Sequence, residues 1–172
     1  MKFIFFLLFL LFNSKSLLAQ RDKQNANTLS IQSYIDFTKT NIQSATWLTY
    51  DLKKISLEAR YNYDWENNVS LYAGLLKRVK DWKFRFLQGV TFGSTTGISI
   101  SPTVILDKSK IFIFNQTQYM IGISKMPSYF FHWAEVYYKL TDAVWLGLTD
   151  RIYLDNTYKD IAFGPQILFT FK

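Results

Sequence analysis

The residues of this 172-residue chain best suited to chemistry are charges that recur at every second position within otherwise apolar segments. Glu58 and Arg60 stand on one side of residues 55–65, with Ser56, Asn62 and Asp64. Ile55, Leu57, Ala59, Tyr61, Tyr63 and Trp65 stand on the other. Strand side chains alternate between two faces, so the stretch has one apolar and one charged face. Lys83 and Arg85 repeat the arrangement in 82–92, Glu135 and Lys139 in 129–140, and Arg151 in 143–153. By position along their segments, Glu58, Arg60, Arg85 and Glu135 are expected near mid-height of a common interior. Asp64, Lys83, Lys139 and Arg151 add further interior charges, and Asp36 and Asp51 fall nearer the ends. Two acids and two bases in a narrow lumen can neutralise one another by bidentate Arg–carboxylate pairing. They can equally form an ion-selective constriction. Large residues of the same parity, among them Tyr34, Trp47, Tyr72, Phe131, Trp133, Tyr137 and Trp145, favour a filled interior.

Other chemistries find little support. His132 is the only histidine, and its parity points to the apolar face. Ser128 and Glu135 are near it in sequence but not on that face, so no nucleophile–base–acid set is read here. Histidine and cysteine do not cluster, and Asp155 and Asp160 in one loop make at most a weak calcium site. Gly93 to Gly97 reads as a hairpin tip rather than a phosphate loop. No catalytic residue, metal or cofactor is expected.

The residue pattern also bears on location. Met1-Lys2 is a short positive start, Phe3 to Phe12 is continuously apolar, and Leu17-Leu18-Ala19 ends in a small residue. This is the form of a secretory signal peptide cleaved after Ala19. The apolar run is too short for a helix spanning ~30 Å. Residues 1–19 are thus expected to be a signal, 20–28 a polar lead-in, and 29–172 one domain. Cysteine is absent, which excludes a disulfide framework and a lipid anchor at the end of the leader. The formal charge of +7 falls to +5 once Lys2 and Lys15 are removed with the leader. That excess is spread along the chain and is expected to be rim charge, with no nucleic-acid partner.

The elements that must position the charges are ten alternating segments: 29–38, 45–52, 55–65, 68–77, 82–92, 96–106, 110–121, 129–140, 143–153 and 161–171. In 110–121 the N-terminal half is apolar on both faces, and a β-bulge is one way to shift its phase. Gln88 and Asp150 break the apolar face of their segments. Pro102 and Pro165 each cost a ladder hydrogen bond or mark a bulge. A membrane-crossing strand needs about 9–11 residues. Residues 29–172 allow roughly 14 per strand and connection if the strands number ten, against longer loops for eight and almost no turns for twelve. The expected fold is all-β: an antiparallel up-and-down transmembrane β-barrel. An even count puts both termini on the periplasmic side. Lys53, Lys54, Lys77, Arg78, Lys80, Lys108 and Lys110 then line the periplasmic rim, and Lys39, Lys125 and Lys159 mark the outer loops.

Over residues 29–172 the chain resembles the small outer-membrane β-barrels of Gram-negative bacteria, the OmpA-type and small-porin superfamily. The most specific element is the C-terminal strand, Gln166-Ile167-Leu168-Phe169-Thr170-Phe171, with Lys172 following the terminal aromatic. The resemblance implies location in the outer membrane, contact with its lipids, and recognition of strand 161–171 by the barrel assembly machinery. One fold hosts many functions, so it does not imply a single activity. A lipocalin-like soluble barrel is the alternative and would place its apolar face inside. The expected function is a structural barrel or a narrow small-solute pore. A surface-binding, adhesin-like module is the alternative, and a lipid-modifying enzyme ranks third.

Overall fold

In the computed structural model, residues 27–37, 42–62, 67–123 and 126–169 are described. The leader, Lys39, Asp64, Lys125 and the terminal Thr170-Phe171-Lys172 lie outside these residues, and so do the expectations that rest on them. Ten strands follow in order: β1 (Thr28–Phe37), β2 (Ile42–Asp51), β3 (Ile55–Tyr61), β4 (Asn68–Val79), β5 (Trp82–Gly93), β6 (Gly97–Lys108), β7 (Ile111–Gly122), β8 (Tyr129–Lys139), β9 (Val144–Asp155) and β10 (Lys159–Phe169). Each pairs antiparallel with the next, giving one ten-stranded up-and-down sheet. The sheet curls into a half-barrel, and among the described residues no ladder joins β10 to β1. The expected all-β class, strand number and up-and-down order are present. Along this seam a Cβ built on Gly164 would meet nothing within 4 Å among the described residues.

Alternation sets the two faces. The outer face carries exposed large hydrophobics, including Leu75 at 70%, Ile161 at 70% and Phe163 at 73%. The inner face buries Glu58, Arg60, Arg85, Gln116, Gln118 and Glu135. This is inverse to a water-soluble barrel, whose apolar residues point inward. The inner face also holds an aromatic cluster of Trp47, Phe114, Phe131, Trp133, Tyr129 and Tyr153 with Met120. Trp47 and Phe114 lie 5.3 Å apart, and Phe114 meets Trp133 edge-on at 6.2 Å.

Neither β7 nor Pro102 introduces a bulge in the described ladders. The β7–β8 register runs unbroken from Ile111↔Tyr138 to Met120↔Tyr129, so β7 keeps one phase without a bulge. Phe114, Gln116, Gln118 and Met120 are buried inside, which places Asn115 and Thr117 on the outer face. Across Pro102 the β6–β7 ladder lapses after Ile100↔Tyr119 and resumes in phase at Thr103↔Gln116. The missing donor therefore removes pairing locally and shifts nothing. Pro165 sits on β10, the last strand of the sheet, where a missing donor is tolerated.

Inner packing relies on two close approaches. Tyr72 lies over Gly89 of the neighbouring strand, and Tyr137 over Gly147. A side chain at either glycine would occupy the space of the ring. At the β4–β5 hairpin Lys80 takes a φ of 55°, the left-handed value that tight two-residue turns require.

Candidate functional site

The interior charges form two centres rather than one. In the first, Arg60 of β3 donates from Nε to Glu58 Oε1 at 2.5 Å. Its Nη1 donates to Gln118 Oε1 of β7 at 2.5 Å and its Nη2 to Ser101 Oγ of β6 at 3.1 Å. The guanidinium carbon stands 4.3 Å from the Tyr72 ring centroid. Gln118 Nε2 passes the chain on to Tyr129 OH at 2.8 Å. Gln116 Nε2 donates to Ser101 Oγ at 3.3 Å and Thr103 Oγ1 at 3.4 Å. One arginine thus ties β3 to β6 and β7 through the interior. Arg60 is 2% exposed and Glu58 4%. Among the described residues Glu58 Oε2 is buried without a hydrogen-bond partner.

The second centre is Asp51, the last residue of β2. Arg85 holds it with Nε on Oδ1 at 3.1 Å and Nη2 on Oδ2 at 2.8 Å. Lys83 Nζ lies 3.1 Å from Oδ2, Arg78 Nη2 3.6 Å, and Ser56 Oγ donates to Oδ1 at 2.6 Å. One carboxylate therefore serves three cations near the turn end of the sheet. The expected four-residue network of Glu58, Arg60, Arg85 and Glu135 is divided accordingly. Glu58 and Arg60 meet, whereas Arg85 turns to Asp51. Glu135 is buried on β8 and interacts with Tyr137. Of the further charges, Lys83 joins the Asp51 centre, and Arg151 stacks over Trp133 at 5.7 Å. Lys139 pairs with Asp142 at 2.7 Å at the β8–β9 turn.

Beside the Asp51 centre the β2–β3 hairpin ends short of the β4–β5 hairpin. Ile55 pairs with Leu75, while β4 runs on to Val79. The step leaves a groove of about 620 Å³ lined by Lys53, Lys54, Leu75, Lys77, Phe84 and Phe86, among others. Among the described residues, Lys53, Lys54 and Lys77 have no acidic partner. Trp82 and Phe84 stack nearby at 6.1 Å.

At the opposite end Asp155 accepts from the Thr157 and Tyr158 amides, both at 2.6 Å, and from Thr157 Oγ1 at 2.9 Å. The Thr157 amide chiefly holds its carboxyl below the ordinary carboxylate range. Its Oδ1 is thus engaged in shaping the β9–β10 turn.

A polar set on the outer face escaped the sequence reading. Thr117 Oγ1 lies 3.1 Å from His132 Nδ1, and His132 Nε2 lies 3.5 Å from Asp150 Oδ1. Asp150 Oδ1 also accepts from the Ala134 amide at 3.1 Å. The signal was present: Asp150 and His132 were polar exceptions on apolar faces. The unassigned phase of 110–121 hid Thr117 and Asn115. Ser128 instead accepts from the Gly122 amide at 3.2 Å in the β7–β8 turn.

Compared with protein-family models, with curated proteins and with solved structures, the chain matches none.

Proposed function

We propose that this chain is an integral outer-membrane β-barrel of the OmpA-like kind with a structural role, its interior plugged rather than open. The inverted sheet carries this reading. An exposed apolar face this extensive is unfavourable in water and favourable against lipid tails. Within hydrocarbon, backbone groups at a free strand edge have no water to bond, so the reading requires β1 and β10 to pair in the bilayer. The Arg60 layer supports plugging, because a guanidinium bonded to three strands fills the space a solute would use. Lipid is the partner the outer face and the basic groove fit, and strand 161–171 is the proposed handle for the assembly machinery.

A narrow small-solute pore is the second reading, favoured by the space beside Gly164 among the described residues. Fractionation and planar-bilayer recording test both. The structural reading expects recovery in the outer-membrane fraction and no steady conductance. Recovery as a soluble periplasmic protein overturns it, and a steady salt-dependent conductance selects the pore.

A further inference from the structure

The outer face is mostly apolar; Gln88 of β5 breaks it singly, Ser33 and Thr46 meet across β1 and β2, and a larger polar set lies across β7–β9. Asn115, Ala134 and Asp150 lie side by side across β7, β8 and β9, and Thr117 and His132 lie directly above them. Thr117 is the seventh of the 12 residues of β7, and Asp150 the seventh of the 12 of β9. The set is therefore at mid-height, far from either rim. Around it stand Tyr119, Val136 and Leu148, all exposed.

Mid-height is the costliest level for polar groups on a lipid-facing strand. Thr117, His132 and Asp150 satisfy one another only in part: the Asp150 side chain is 37% exposed. Among the described residues none hydrogen-bonds the Asn115 side chain. A carboxamide and a carboxylate left in hydrocarbon call for a protein surface rather than lipid. The level also argues against a lipid substrate, whose ester and headgroup lie at the bilayer surface.

We infer that the β7–β9 outer face is a self-association surface, covered in the membrane by the same face of a second copy. The patch is self-complementary. Asn115 and His132 bring donors, and Asp150 and Thr117 bring acceptors. A two-fold axis near Ala134 would set each copy's Asn115 amide against the other's Asp150 carboxylate. Ala134 is small, and a small residue between polar neighbours lets two membrane-embedded surfaces approach closely. The inference rests on the membrane reading above.

The test uses the full chain reconstituted in lipid bilayers. Ala134→Cys introduces the chain's only thiol, and mild oxidation should link two copies. Asn115→Leu with Asp150→Leu should weaken association roughly tenfold or more, as read by subunit counting in bilayers. Ala134→Trp keeps every polar group and should block association by bulk, and heat-modifiable migration on gels reports that each variant is folded. Failure to integrate into bilayers overturns the membrane reading itself. Integration with wild-type chains counted as single copies overturns only the self-association. Retained pairing in both the double-leucine and Ala134→Trp variants also overturns it, as does cross-linking of the Ala134→Cys variant to a different polypeptide in native membranes.

Discussion

Arg60 of β3 and Gln118 of β7, 58 residues apart in sequence, are joined by a 2.5 Å hydrogen bond through the interior. The bond ties the two walls of the curled sheet together.

Arg60→Ala should leave the Glu58 carboxylate buried without its cation. Removing one partner of a buried ion pair costs about 3–5 kcal/mol. Thermal unfolding in detergent should show a clear fall, and bilayer recordings should gain conductance. The double change Glu58→Leu with Arg60→Met should recover much of the stability, because no unpaired charge remains. Equal melting of Arg60→Ala and wild type would show that the layer does not hold the barrel.

Asp51→Ala should destabilise more than Arg85→Ala. The first removes the carboxylate that Arg85, Lys83 and Arg78 share, leaving Asp107 beside Lys83 alone, whereas the second leaves Asp51 with Lys83 and Arg78. Denaturant midpoints of the two variants measured side by side give the order.

Gly89→Leu should disturb Tyr72, the ring beneath the Arg60 guanidinium. Overpacking of this kind costs about 1–3 kcal/mol. Gly164→Leu, where a Cβ meets nothing among the described residues, should be close to neutral in the same melting experiment.

Closure of β1 against β10 is testable because the chain has no cysteine. Ile31→Cys combined in turn with Ile161→Cys, Phe163→Cys or Ile167→Cys should form a disulfide in one register in membranes. No bond in any pair would mean that the seam stays open in the bilayer.

The groove beside Lys53, Lys54 and Lys77 should favour anionic lipid. Each lysine near an anionic surface contributes on the order of 1 kcal/mol. Changing all three to serine should reduce retention of phosphatidylglycerol over phosphatidylcholine in native mass spectra of the detergent-purified protein. Lys108→Ser with Lys110→Ser is the control and should retain it.

Much of the fold was legible because strand faces follow from a local rule. In 68–77 and 96–106 the apolar and polar residues alternate over most of their length, and the structure keeps the same residues out and in. The β7 segment was ambiguous for the opposite reason. Ile111, Phe112, Ile113 and Phe114 are apolar on both faces, so the local pattern carries no phase. The phase is set by pairing with β6 and β8, which also reveals Asn115 and Thr117 beside His132.

By itself, then, the sequence determined the strand number, their order, and the burial of Glu58, Arg60, Arg85 and Glu135, since period-two alternation needs no partner. Only the tertiary structure decided that Arg60 takes Glu58 and Gln118 while Arg85 takes Asp51. Ion pairing depends on the height and angle at which strands meet. Those are products of register and curl accumulated over several ladders, and no single segment encodes them.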